Sequence, residues 1–226
     1  MNSLLAIDKI ELRLNKLASN DYQSIDTWKK EEALNKAVYN WLNRQFKGRN
    51  LFQEGDEENI SRVDDLSCLL RQESFDSSEI TKRDLYSEIS IPDNYLRFKR
   101  LYPKVKKEEC EQFISSKLIE EANVSEYLGD YLSSPSFEFE ETFHTILNKQ
   151  FHIYHNKQFS ILNVNLVYYK KPEYIHVENK DKAIADWEFP ENVCEEIIDE
   201  AVKILAGDTE NTLQYELANK RTEENN

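Results

Sequence analysis

Apolar residues recur at helical spacing at both ends of this chain and alternate at strand spacing in its middle. Ile10, Leu14 and Leu17 fall at i, i+4 and i+7, with Leu5 and Ala6 one turn earlier, so the spacing predicts a helix over residues 3–18 that Ser19-Asn20-Asp21 closes. A second helix is expected from an N-cap at Ser24 or Asp26 until Gly48 stops it, with Leu34, Ala37, Val38, Trp41, Leu42 and Phe46 on its apolar face. The short turn between the two predicts an antiparallel pair. A third, short helix over Ser61 to Leu70 would present Val63, Leu66, Leu69 and Leu70.

From residue 72 the pattern changes to short runs rich in β-branched and aromatic residues. Strands are predicted at Leu85 to Ile91, Leu96 to Val105, Phe113 to Glu120, Thr142 to Leu147, Gln150 to His155 and Ile161 to Tyr169. Asn148-Lys149 and Asn156-Lys157-Gln158 read as hairpin turns, which makes the last three strands a meander. Phe151 and Ile153 alternate with His152 and Tyr154, so each strand is expected to turn one face inward. A short helix over Asn123 to Leu132 interrupts the strands. Pro190, Val193, Ile197, Ile198, Val202 and Leu205 then form a helix that ends at Gly207, and Asp208 caps one more, ending near Asn219.

These elements give an α+β fold: N- and C-terminal helices forming a helical base, with a mostly antiparallel β-sheet inserted in the middle. The expected organisation is one domain over 1–226, with N-terminal helices at 1–70, the β-rich insertion at 72–171, C-terminal helices at 190–219 and a flexible tail at 220–226. With 39 % hydrophobic and 12 % aromatic residues the chain can bury a core, and only 4 Gly and 5 Pro argue against low-complexity linkers.

Composition narrows the functional classes. Lys and Arg number 29 against 43 Asp and Glu, a net charge of −14 that opposes a grip on a phosphate backbone, since such binding draws on basic residues releasing counterions. Cys68, Cys110 and Cys194 lie far apart without C-x-x-C spacing, so neither a disulfide framework nor a zinc knuckle is signalled; Cys68 and Cys194 read as packing residues. Met1-Asn2-Ser3-Leu4-Leu5 lacks a basic region, and no run approaches a membrane span, so folding in a cytoplasm without a secretion signal or membrane contact is expected.

Chemical motifs are weak. His152 and His155 stand three apart, on opposite faces of a strand, and His144 and His176 complete no ligand set, so no metal is expected. Asp93 with Glu178-Asn179-Lys180 superficially offers a nuclease set across more than eighty residues, as chance permits in so acidic a chain. There is no G-x-S-x-G and no Gly-rich phosphate loop. No catalytic residue, cofactor or metal is predicted, and the chain does not read as an enzyme.

A set of motifs spread over nearly the whole chain resembles the ring-forming head-to-tail connector proteins of tailed bacteriophages in the crAss-like group. It comprises Trp-x4-Ala-x-Asn-Lys-Ala-x3-Trp from Trp28 to Trp41, Gln53-Glu54-Gly55-Asp56-Glu57, Asp64-Asp65-Leu66-x3-Leu70, Ile91-Pro92-Asp93-Asn94-Tyr95-Leu96-Arg97, Tyr168-Tyr169-Lys170-Lys171-Pro172 and the helix from Glu196 to Asp208. The plan of terminal helices around a β insertion is also similar to the gatekeeper, or tail tubular, rings of short-tailed phages. The resemblance implies a structural virion protein that folds in the host cytoplasm and assembles at the head-tail junction as a dodecameric ring. Its partners would be further copies of itself, the portal protein and other tail or ring proteins, with genomic DNA passing through the channel unbound.

A closed ring needs a heterologous contact in which one patch meets a different patch on the next copy. Trp28, Tyr39 and Trp41 are the candidate subunit-interface anchors, because large aromatics dominate interface energies. Glu54, Asp56, Glu57 and Glu58 form a candidate channel or contact loop, and Leu213, Tyr215 and Leu217 a candidate docking helix. The lysines Lys104, Lys106 and Lys107 suggest ion pairs with acids of an adjacent copy. The alternative is an acidic, monomeric cytosolic module that binds a protein partner through the same aromatic helix.

Overall fold

The computed structural model describes residues 1–17, 25–47, 60–176, 187–208, 216 and 219–222. Its elements are helices α1 (Ser3–Leu17), α2 (Thr27–Lys47), α3 (Ile60–Ser67), α4 (Val124–Gly129) and α5 (Glu191–Asp208), a 3-10 turn at Glu121–Asn123, and nine strands. The strands are β1 (Leu70–Phe75), β2 (Thr81–Lys82), β3 (Tyr86–Ser90), β4 (Tyr95–Lys107), β5 (Cys110–Phe113), β6 (Ser115–Leu118), β7 (Glu141–Leu147), β8 (Gln150–Tyr154) and β9 (Ser160–Lys170). The protein is α+β. Where the sequence suggests one domain, the chain divides into two compact units: residues 1–68 with 172–226, and residues 69–171.

In the first unit, Asp26 rather than Ser24 opens α2, its carbonyl accepting the amides of Lys29 and Lys30 at 3.1 and 3.3 Å. The core is built from Ala6, Ile10 and Leu14 of α1, Leu34, Ala37, Val38 and Trp41 of α2, and Val193, Ile197, Ala201 and Val202 of α5. Leu5, expected on the buried stripe of α1, is exposed, and Ile7 takes an inward position instead. One flank of the apolar arc of α5 carries Glu195 and Asp199, the other Glu196 and Glu200, each pair four residues apart and so stacked along the helix. The first pair receives Lys9 and Arg13 of α1, with Arg13 to Asp199 at 2.7 Å; the second receives Asn40, Trp41 and Arg44 of α2 at 3.3, 2.8 and 3.2 Å. These directional bonds fix the register of both helices on α5. Asn35 adds a clamp: its amide donates to the Ile175 carbonyl at 3.0 Å and its carbonyl accepts the Ile175 amide at 2.9 Å, pinning the segment after β9 to α2.

The second unit is a nine-stranded sheet in the order β1-β9-β4-β6-β7-β8-β3-β2, with β5 paired beside β6 along β4; β6 and β7 run parallel and the other pairs are antiparallel. The two ends of this path, β1 and β2, are joined by residues 76–80 alone, and Phe75 and Ile80 enter the same core as Ile89, Leu101, Phe151, Ile153 and Leu166. The sheet therefore curls on itself. Register shifts along β4 at Tyr95/Arg97, Phe98/Arg100 and Lys104/Val105 supply bends.

The structure keeps one hairpin of the expected layout and corrects the rest. β7 and β8 form a hairpin through Asn148-Lys149, both at positive φ (49° and 60°) as a two-residue primed turn requires. β9, however, does not continue a meander. The other edge of β8 is taken by β3, so the chain leaves through Asn156-Lys157, also at positive φ, and crosses to lie between β1 and β4. The predicted strand from Phe113 to Glu120 is split, because Pro103 has no amide to donate and interrupts the outer ladder of β4 where β5 gives way to β6. Ile114 instead donates to the Pro103 carbonyl at 3.0 Å. The third helix stops at Ser67, and Leu70 opens β1.

β8 is buried on both faces. Its inner face carries Phe151 and Ile153; on the outer face Tyr154 stacks on Phe143 at 4.9 Å and His152 on Tyr86 at 4.8 Å, while Tyr127 of α4 meets the Phe143 edge at 5.4 Å. Residues 219–222 are helical, three of them within the expected flexible tail at 220–226, with Thr222 buried and its hydroxyl donating to the Asn219 carbonyl at 2.8 Å.

Candidate docking surfaces

The outward stripe of α2 is formed by Trp28, Glu32, Lys36, Tyr39 and Asn43, all exposed. Trp28 and Tyr39 are eleven positions apart, about three turns, and therefore lie along one line of the helix. Trp28 is 60 % exposed and Tyr39 45 %, with the Lys29 ammonium 5.6 Å from the Trp28 ring. Both side chains are where a partner can reach them. On α1, Leu4, Leu5 and Leu12 are exposed as well.

Trp41 does not belong to this surface, which corrects the sequence expectation. It is 1 % exposed, its indole N–H donates to Glu196 at 2.8 Å and its ring meets Phe189 edge-on at 5.7 Å. Burial raises the Glu196 carboxyl above its ordinary range, and the Trp41 hydrogen bond works against that shift. Neighbouring Glu195 feels the same burial, yet Lys9 and Arg13 outweigh it and hold its carboxyl below that range.

The β unit presents a second group of exposed large apolar side chains that the sequence reading passed over: Tyr131 (80 % exposed) and Leu132 after α4, Phe139 in the turn before β7, and Phe113 on β5. The chain signals them only as apolar residues in polar stretches. The lysines of β4 are satisfied within the chain and need no adjacent copy: Lys104 pairs with Glu111 at 2.7 Å, Lys106 reaches the same carboxylate at 4.0 Å, and Lys107 pairs with Glu138. Those partners lower the pKa of Glu111 and of Glu138.

Glu54, Asp56, Glu57 and Glu58 lie outside the described residues, as do Leu213, Tyr215, Leu217, the Ser19-Asn20-Asp21 turn and Glu178-Asn179-Lys180. Asp93 sits in an exposed turn, its carbonyl accepting from Lys171 at 3.1 Å. The histidines are dispersed. His144 is buried on the inner face of β7, its Nδ1 2.7 Å from the Ser116 hydroxyl; His152 lies on the outer face of β8, and His176 pairs with Glu31 at 3.1 Å. Burial alone drives His144 down to about 3, so its imidazole is neutral at ordinary pH. Among the described residues no group of three or more His, Cys, Asp or Glu is arranged to hold a metal ion, and no helix is long and apolar enough to cross a membrane. Cys194 is buried and its thiol is pushed up to about 11.

No protein-family model matches this sequence, and a comparison with curated proteins finds no match.

Proposed function

We propose that this protein is a structural subunit of a ring in the head-to-tail connector or tail of a tailed phage, assembled by heterologous contacts between copies. The observation that carries the reading is that each compact unit exposes its own large apolar side chains: Trp28 and Tyr39 on the helical unit, Tyr131, Leu132, Phe139 and Phe113 on the β unit. Two different patches on one chain are what a head-to-tail contact consumes, one from each neighbour. The motif resemblance supplies the phage context. An acidic net charge of −14 suits a channel through which DNA slides without being held.

Complementation between two damaged subunits tests this. Trp28→Ala blunts the helical patch and Tyr131→Ala the β patch. Each variant is expected to fail at ring formation alone, and an equimolar mixture to form a heterodimer through the one contact left intact. Rings of wild-type yield from both single variants would overturn the assignment of these patches.

A further inference from the structure

The edge strand β1 carries a self-complementary pattern. Among the described residues its one strand partner is β9, and residues 70–74 are exposed. The Lys170 amide donates to the Leu69 carbonyl, opposite it in register, so residues 71, 73 and 75 direct their backbone groups toward β9 and residues 70, 72 and 74 direct theirs to the outer edge. The order along that edge is Leu70-Arg71-Gln72-Glu73-Ser74.

We infer that β1 pairs antiparallel with β1 of a second copy about a two-fold axis at Gln72. In that register Gln72 faces Gln72 and Leu70 faces Ser74, so the outward backbone groups form about six new hydrogen bonds. Arg71 then stands directly opposite Glu73 of the other copy, twice by symmetry, in the closely spaced class of antiparallel pair where opposite charges attract. Axes at Leu70 or Ser74 use fewer of the outward groups and leave the charges unmatched. The same two charges discourage other strands: an apolar edge arriving at β1 would desolvate Arg71 and Glu73 and offer no opposite charge across the edge, the usual protection of an exposed edge, whereas a second copy of this strand offers one to each. Within one chain the Arg71 guanidinium donates to the Leu70 carbonyl at 2.8 Å and Glu73 accepts from the Tyr168 hydroxyl at 3.2 Å. The Leu70 carbonyl changes from the first partner to the Ser74 amide of the second copy. This contact is isologous, so it is separate from the heterologous contact of a ring and does not rest on the ring reading.

Sedimentation of the purified full chain over a range of concentrations reads the dimer directly. Arg71→Glu and Glu73→Arg each place like charges opposite one another twice and should weaken the dimer about tenfold or more. The double variant R71E/E73R restores opposite charges and should recover wild-type association. Circular dichroism of all four proteins keeps misfolding separate from lost pairing. A wild-type protein that stays monomeric throughout, or a double variant no better than the single ones, overturns the proposal. Ring formation by R71E in the presence of portal reports on the ring reading independently, because that contact leaves β1 unused.

Discussion

Replacing His144 by Gln should remove an acid sensitivity built into the β unit. The imidazole is fully buried against Phe98 and Phe151, with ring centroids at 4.8 and 5.7 Å; Nδ1 meets the Ser116 hydroxyl and Nε2 has no partner among the described residues. Burial lowers its pKa from 6.5 to about 3. Between those values the unfolded chain binds a proton that the folded chain refuses. The stability from the neutral ring is thus complete above pH 6.5 and is lost as pH falls, at about 1.4 kcal/mol per unit, levelling off near 3. From pH 7.5 to pH 4.5 the loss is about 3 kcal/mol. Tryptophan fluorescence is the wrong probe, since Trp28, Trp41 and Trp187 all lie in the helical unit. Amide hydrogen exchange of β7 and β8, measured at both pH values in wild type and His144→Gln, isolates the β unit. Wild type should lose about 3 kcal/mol of opening free energy more than the variant over that interval. An equal loss in both proteins would refute the assignment of a neutral, buried His144.

Three further outcomes follow from the same contacts. Asn35→Ala leaves the Ile175 amide and carbonyl buried without partners and should cost about 2–4 kcal/mol, read by urea unfolding with tryptophan fluorescence. Trp41→Ala should destabilise the helical unit by about 3–5 kcal/mol, whereas Trp28→Ala should change its stability by less than about 0.5 kcal/mol, because one ring is core and the other surface. An equal cost in both would contradict the burial difference. A thiol reagent should modify exposed Cys110 in the native protein and leave Cys194 untouched until denaturant is added, which mass spectrometry of labelled peptides distinguishes.

Helical periodicity made α1, α2 and α5 legible, since three-residue and four-residue spacings of Leu, Ile and Val have one physical reading. The roles of the tryptophans were equally available and were missed. Trp28 and Trp41 are thirteen positions apart, which at 3.6 residues per turn puts them on nearly opposite faces of α2, so they cannot both anchor one interface. Alternation along β8 and β9 marked Phe151, Ile153, Val164 and Leu166 as sharing faces, and these are the faces turned to the core. It could not give neighbours: β3 claims the edge of β8 from more than sixty residues away, and nothing in either strand announces that pairing. β1 escaped detection because Arg71-Gln72-Glu73-Ser74 has no buried face to alternate with. Pro103 was visible, and its missing donor is the signal that would have split the strand after Phe113. The acid rows of α5 look like a solvated face in sequence; their partners Lys9, Arg13, Asn40 and Arg44 are distant in the chain and only the fold brings them together.

The most direct test of the central claim is the mass of the purified protein, alone and mixed with its cognate portal, by light scattering with electron microscopy of the same samples. The account predicts closed rings in at least one of the two samples. A species no larger than the dimer in both would contradict it and favour an acidic binding module that works through the exposed stripe of α2.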